Sequence, residues 1–393
     1  MAKIWAVIFI ILVLTVRLIN LESTPVFGDE AVYCWAGCEI TTVGLPKTWE
    51  MIVNQKKFAP LLSVIQGGLM TVFPKVSPIF LCRSVSVIAS GLAGLILFMW
   101  LKSWAALVFW LVNPFNFFND RTSLQEPLLN LLIVATIVSL KRERSIKAGV
   151  FLVLSFLTKL TTLLVVPGLV GLALVRKRVV QASVLILAVL IFKWWAITFT
   201  HLWDIFGYHA YADWSLTTLS ARVLKNLRLT ISWYQQYLTP GFWALAFLGI
   251  WQSLKQQQGQ WLMFLVSILA GYILLADSYF PRLLLVTLPL WAIILSYSTK
   301  TKAGWITFGI LLLVWIKNDL NIVWQPRLAM IAKEDYWQFY QDWTSGETIR
   351  QAVLQWQNQP DLKQVKVSRD TVAMWQLYKL QFAPDRQIEI IIE

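Results

Sequence analysis

The sequence predicts an all-α polytopic membrane protein of about eleven transmembrane helices, with a long first extracytoplasmic loop and a small α/β extracytoplasmic C-terminal tail. Three observations predict it. Of 393 residues, 58% are hydrophobic and only 14% are charged, against roughly 25% charged in soluble domains. Apolar runs such as 4–20, 80–101, 179–197, 261–276 and 303–316 have the roughly 17–25 residues that a helix needs to cross a bilayer core. Many of the 22 tryptophans lie near the ends of these runs, where an amphipathic ring suits the headgroup layer.

The first span, 4–20, follows Lys3 and reaches Arg17 without a small-residue cleavage site, so it reads as an uncleaved anchor. Two basic loops set the orientation: Lys141, Arg142, Arg144 and Lys147 in one, Arg176, Lys177 and Arg178 in the other. The positive-inside rule places both in the cytoplasm. The apolar stretch between them has 28 residues and is punctuated by Thr158, Lys159, Thr161 and Thr162, so it reads as two short helices meeting at an outer turn. Continuing the alternation gives spans at 4–20, 80–101, 104–118, 126–140, 148–159, 160–175, 179–197, 236–254, 261–276, 283–298 and 303–317. With the N-terminus inside, an odd count leaves the C-terminus outside.

The transmembrane domain is then 1–317, with outer loops at 21–79 and 198–235. The first loop carries an amphipathic helix over 29–41 and a shorter, glycine-interrupted interfacial or re-entrant helix from Pro60 to Phe73. The second carries Arg222, Lys225 and Arg228, spaced by three as on a solvated or headgroup-facing helix side. Residues 318–393 form the tail, helical at 347–358 and strand-like at 364–368 and 388–392. No repeat of fixed period and no matching of halves is present, which argues against an inverted-repeat transporter.

Net charge of +13 would suggest nucleic acid in a soluble protein, but here the basic residues fall in short loops between spans, so no nucleic-acid partner is expected. Three cysteines and two histidines, without zinc-type spacing, support neither a metal site nor a disulfide framework. Cys34 and Cys38, one helical turn apart, are the pair within reach of each other. His201 and His209 receive no role.

Ionisable groups at membrane depth are expensive and tend to mark a site. On this topology they converge at the outer ends of spans: Arg17, Asp29, Glu30, Lys56, Lys57, Arg83, Asp120, Arg121, Glu126, Lys159 and Arg282. Acids beside cations suit a lipid-linked phosphate: the cations stabilise a departing phosphate while a carboxylate takes the proton of an attacking hydroxyl or amine. Duller roles compete. Asp29 suits an N-cap, Arg17 can snorkel to the headgroups, Glu126 favours its helix dipole, and Lys159 wants any anionic partner.

The arrangement resembles the C superfamily of membrane glycosyltransferases, in the branch of dolichyl-phosphate-mannose protein mannosyltransferases and bacterial aminoarabinose lipid A transferases. The segment FGDEAVYCWAG at 27–37 is similar to that branch's Asp-Glu pair followed by an aromatic, here Tyr33. FAPLLSVIQGGLMTVF is similar to its K-P-P-L or H-P-P-L segment through Pro60 and Leu61, with Phe58 in the basic position and Lys57 one place early. Arg83 matches the arginine opening the family's second span, and RTSLQEPLL at 121–129 its R-x-x-x-x-D-x-x-L pattern, with Glu126 in the acidic place. LSFLTKLTTLLVVPGL resembles the L-T-K-G stretch, with Lys159 as its lysine and Leu160 for its glycine. PRLLLVTLPLWAIIL keeps Arg282 and Pro289 of an R-Y-x-x-P-x-x-P helix start, with Leu283 and Val286 replacing the tyrosine and first proline.

The resemblance implies an inverting glycosyltransferase that moves a sugar from a polyprenyl-phosphate carrier to a lipid, glycan or protein acceptor. Asp29 would be the general base, Glu30, Tyr33 and Glu126 would line the acceptor or sugar pocket, and Arg83, Lys159, Arg282, Arg17 and Lys57 would bind the donor phosphate. No cofactor and no divalent metal is expected. The expected location is the bacterial inner (plasma) membrane, among its lipids, with the N-terminus cytoplasmic and the active site and C-terminus extracytoplasmic. The rival from another class is a transporter or flippase of polyprenyl-linked glycans, which would place polar residues on both sides.

Overall fold

The computed structural model of the chain describes residues 2–55, 59–200, 215–276, 279–341, 346–356, 359, 362–368, 371–383 and 385–392. These residues are mainly helical. Four helical segments are long and apolar enough to cross a membrane, Pro78–Leu101, Val179–Phe199, Pro281–Ser298 and Lys302–Trp324, and Ser145–Thr158, Leu160–Val175 and Gln260–Leu275 are shorter apolar ones. On Val179–Phe199 (α11), Leu187, Leu190, Ile191 and Trp194 are all exposed. Such a surface fits hydrocarbon as its solvent, and the chain is an integral membrane protein.

Helix starts follow local chemistry. In α5 (Pro78–Leu101), Ser77 Oγ accepts from Phe80 N and proline occupies the first turn, where its missing N–H costs nothing. The run read as one span over 104–118 is two helices, α6 (Trp104–Val112) and α7 (Pro114–Asp120). Pro114 cannot donate into α6, and Asn113 Oδ1 restarts the chain by accepting from Asn116 N at 2.9 Å. α8 (Glu126–Lys141) leads to α9 (Ser145–Thr158). A 3-10 turn over Leu160–Leu164 then opens into α10 (Val166–Val175), with Lys159 extended at the break.

The basic loops meet at one end of the bundle. Arg178 donates to the Leu140 carbonyl at 2.9 Å and to Glu143 at 2.7 Å. Lys300 reaches Gln256 at 2.5 Å, and the Lys141 ammonium stands 4.4 Å from the Trp261 ring centroid. The opposite end carries α2 (Gly28–Val43), α3 (Leu45–Glu50) and α4 (Leu61–Val72). α2 and α4 cross closely, because Gly67 has no side chain: a Cβ there would fall 2.8 Å from the Gly37 carbonyl oxygen.

Buried arginines hold this second end together. α1 (Ala2–Leu18) ends with unsatisfied carbonyls, as every helix does. Arg121 donates to those of Arg17, Ile19 and Asn20 at 2.5, 2.9 and 3.1 Å. Arg17 is fully buried and donates to Ser90 at 2.9 Å, Asp120 at 2.5 Å and the Leu111 carbonyl at 2.7 Å. Arg83, also fully buried, uses all five donors: Nε and Nη2 on the two oxygens of Glu30 at 2.6 and 2.9 Å, and the rest on the carbonyls of Leu21, Thr24 and Pro25.

Three sequence expectations are corrected. No disulfide framework was expected, yet a disulfide joins Cys34 to Cys82 and leaves Cys38 free: the packing of α2 against the start of α5 brings together two cysteines 48 residues apart. The boundary at 317 falls inside a continuous helix, Lys302–Trp324, because Asn318 and Asp319 are buried within the fold. The segment expected as an outer loop at 198–235 carries α12 (Leu216–Leu238), the helix on which Arg222, Lys225 and Arg228 were expected to mark one solvated side. On it Arg222 is buried while Lys225 and Arg228 are exposed, so its three cations do not share one solvated face.

α13 (Gly241–Lys255), α14 (Gln260–Leu275), α15 (Leu288–Ser298) and α16 (Lys302–Trp324) follow. The tail after α16 holds α17 (Lys333–Tyr336), α18 (Glu347–Gln355) and α19 (Val372–Phe382), with β1 (Gln364–Val367) parallel to β2 (Glu389–Ile392). α19 supplies the crossover that parallel strands require. The tail docks on α2, and just before that helix Tyr378 Oη accepts from Val26 N at 2.7 Å.

Two measurements check this architecture. Of the three cysteines, one should alkylate after denaturation without reductant and all three after reduction, read by intact mass. Arg83→Ala should destabilise the protein by about 3–5 kcal/mol, because it leaves Glu30 buried and unpaired. A thermal midpoint in detergent equal to wild type would contradict the clamp.

Candidate active site

Asp29 is the second residue of α2, in the first turn rather than at the cap, which is Phe27. Helix N-termini favour an acid there. Glu30 closes the turn by accepting from Phe27 N at 3.3 Å. Asp29 Oδ2 accepts from Arg282 Nη2 at 2.6 Å, and its side chain remains 46% exposed against 13% for Arg282. Arg282 sits in the 3-10 turn Pro281–Thr287 ahead of α15. Its guanidinium stands 4.9 Å from the Phe27 ring centroid and 5.4 Å from that of Phe280. Nη1 is buried with no hydrogen-bond partner among the described residues.

The second ion pair joins Lys159 Nζ, at the α9 break, to Glu126 at the start of α8, with side chains 17% and 4% exposed. Side-chain amides fix the surrounding backbone. Asn130 donates to the Leu285 carbonyl at 3.2 Å, tying α8 to the turn that carries Arg282. Gln66 donates to Ser123 at 2.6 Å and Gln125 to the Ala59 carbonyl at 3.2 Å, tying the residues before Glu126 to the first loop.

Tyr33 lies one helical turn beyond Asp29 and is half-buried. Burial pushes its hydroxyl well above the ordinary tyrosine range; Asp29 and Glu126 push the same way and Arg282 opposes them. Tyr33 therefore stays protonated and able to donate. These groups come together from loop, helix ends and turn at the end of the bundle opposite the basic loops.

The structure separates the remaining sequence candidates from this cluster. Arg83 and Arg17 are fully buried. Arg83 has no donor to spare for a phosphate, and Arg17 serves Asp120, Ser90 and a carbonyl. Arg83 holds the segment after α1, because a guanidinium with five donors is suited to gathering carbonyls at a chain reversal. Glu30 is likewise engaged: besides Arg83 it accepts from Ser123 N at 2.8 Å. Lys57 lies outside the described residues, as do Lys56, His201 and His209.

One acid escaped the sequence reading. Asp335 on α17 is buried and accepts from Tyr237 Oη of α12 at 2.5 Å, and neighbouring Glu334 accepts from Trp233 Nε1 at 2.8 Å. Burial raises the Asp335 carboxyl to about 7; the Tyr237 hydrogen bond and the Arg282 charge oppose the rise, and Glu334 and Glu126 add to it. It thus stands within electrostatic reach of both ion pairs. The signal was present, since Glu334–Asp335 after a span repeats the pattern of Asp29–Glu30.

An exposed carboxylate beside a guanidinium with an unfilled N–H, next to an ammonium and a phenol, can bind an oxyanion and accept a proton from a neighbouring hydroxyl. Among the described residues no group of three or more metal-ligating side chains is assembled.

No family model matches the sequence, and no curated protein matches it. Among solved structures the chain is similar to the crystal structure of ArnT from Cupriavidus metallidurans bound to undecaprenyl phosphate, with a TM-score of 0.58 at 15% identity. The match covers 97% of this chain and 76% of that one. The similarity shows that the chain shares the fold of that protein.

The Asp335 carboxyl yields a pH prediction. Its folded-state value is about 7 against an ordinary value of 3.8, so the folded protein holds a proton that the unfolded chain has released between those limits. Its contribution to stability is present in full below the ordinary carboxylate range and is lost as pH rises toward about 7. Asp335→Asn should flatten the fall in thermal midpoint between pH 5 and 7, and parallel profiles for the two proteins would refute the assignment.

Proposed function

We propose that the chain is a polyprenyl-phosphate-sugar-dependent glycosyltransferase, acting on the outer face of the membrane with inversion at the transferred sugar. One observation carries the reading: the half-exposed Asp29 carboxylate lies 2.6 Å from an Arg282 guanidinium that still has a buried, unfilled N–H. The solved protein of similar fold is bound to undecaprenyl phosphate, and a phosphate of that kind is the anion such a pair suits.

The chemistry is a single displacement. The acceptor oxygen or nitrogen forms its bond to the anomeric carbon as the carbon–oxygen bond to the phosphate breaks. The phosphate leaves with the electron pair, and Asp29 takes the acceptor's proton. Arg282 and Lys159 neutralise the charge growing on the phosphate, most strongly where water is excluded. Tyr33 and Glu126 border the sugar or acceptor, and the reading includes no divalent metal. The sugar is a hexose or pentose, and the acceptor a lipid, glycan or protein.

The same proposal takes eleven segments as spans: α1, α5, α6 with α7, α8, α9, the Leu160–Leu164 turn with α10, α11, α13, α14, the Pro281–Thr287 turn with α15, and α16. The basic loops then face the cytoplasm of a bacterial inner membrane. The Cys34–Cys82 disulfide at the opposite end supports that orientation, because disulfides persist in oxidising compartments. Clustering of the acids and cations at this one end favours an enzyme over a flippase.

Purified protein supplied with radiolabelled polyprenyl-phosphate sugars tests the reading. Asp29→Asn should lower transfer by about 10²- to 10⁴-fold, the usual contribution of a general base, and Arg282→Gln should weaken donor binding. Equal turnover in wild type and Asp29→Asn would remove Asp29 as the base. Failure to transfer from any donor, with measurable lipid flipping, would favour the transporter.

A further inference from the structure

A cavity lies at the same end of the bundle, formed by residues that play no part in the Asp29 site. It holds about 360 Å³ and is bounded by the segment after α1, the turn after α16 and the start of α18. Its polar lining is Ser23, Gln325, Arg327, Tyr340, Glu347 and Arg350. Two arginines and one carboxylate thus line the cavity, and that carboxylate already accepts from Gln351 at 3.0 Å.

The lining is incompletely satisfied. Arg350 Nη1 donates to the Ser23 carbonyl at 3.2 Å and its guanidinium stands 5.6 Å from the Phe382 ring centroid, yet its Nε is buried with no hydrogen-bond partner among the described residues. The Tyr340 hydroxyl is also buried, beside Thr24, and closes no hydrogen bond of normal geometry among the described residues. Buried donors without acceptors are uncommon in native structures and call for an explanation. A missing acceptor is the simplest.

The surroundings say what carries it. Trp324, 59% exposed, ends the apolar helix α16 beside the cavity, as tryptophans do at the headgroup level. Leu328, in the lining itself, and nearby Met330 are exposed apolar side chains on the same turn. A cationic cleft with a greasy lip at the bilayer interface matches an amphiphile with an anionic head.

We propose that this cavity is a second binding site, for the phosphate group of an anionic membrane lipid. Arg327 and Arg350 hold the phosphate oxygens, for which the guanidinium fork is well matched. Tyr340 donates the remaining hydrogen bond, and Leu328 and Met330 lie along the acyl chain. The ligand would bridge the transmembrane bundle and the tail, since Arg327 follows α16 and Arg350 belongs to α18.

Native mass spectrometry of the full chain, mixed with equal amounts of phosphatidylglycerol and phosphatidylcholine, provides the test. Wild type should retain phosphatidylglycerol by about tenfold or more, since each cation at an anionic surface favours it. Arg327→Gln should reduce that preference and Arg327→Gln with Arg350→Gln should abolish it. The exposed position of Arg327 keeps the single variant folded, so its partial loss is informative even if the double variant misfolds. An unchanged preference in the single variant, or none in wild type, would overturn the site. Loss of the retained lipid in millimolar inorganic phosphate would assign the arginines to a free phosphate and overturn the lipid. The readout is lipid retention, so its failure is distinct from failure of glycosyl transfer.

Discussion

Arg83 has no exposed surface, and each of its five N–H groups ends on an oxygen of Glu30 or on a carbonyl of the segment between α1 and α2. Without water, an ionised group is tolerable only if it is paired and fully hydrogen-bonded. That requirement fixes the path of residues 21–25 and the angle at which α2 begins. Asp29 precedes Glu30 directly, so the clamp that satisfies the buried arginine also aims the exposed acid. Arg121 and Arg17 extend the same logic to the end of α1.

Two kinds of ion pair are thereby distinguished by exposure rather than by residue type. Arg83–Glu30 and Arg17–Asp120 are sealed, and a ligand could reach them only by dismantling the fold. Arg282–Asp29 and Lys159–Glu126 keep some exposure and leave donor capacity open. Arg282 thus pairs with an acid that solvent can reach, while one of its own N–H groups stays unfilled. Protein carboxylates hold both cations, which keeps their charges compensated at the membrane surface.

The tail and α12 belong to the site as much as the bundle does. Tyr237 and Asp335 meet from segments about a hundred residues apart, and Phe339 packs on both Phe27 and Phe118. Asp29 at the start of α2 and Asp335 after α16 both act on the charge of Arg282.

Composition and run length alone settled the solvent: a chain with this apolar content has to bury its helices in lipid. The basic loops, the break at Lys159, the α2 and α4 helices and the two short strands were likewise legible, because periodicity and punctuation are local. So was the set of polar residues gathered at one end. Which of them are sealed and which stay open was not legible, because Arg83 and Arg282, or Glu30 and Asp29, are the same chemical groups until packing decides which are enclosed. The Cys34–Cys82 bond, the burial of Arg222, the continuation of α16 past 317 and the arrival of Asp335 all depend on contacts between distant segments. Tertiary structure alone could decide these, since exposure is a property of the assembled surface and not of any residue in the chain.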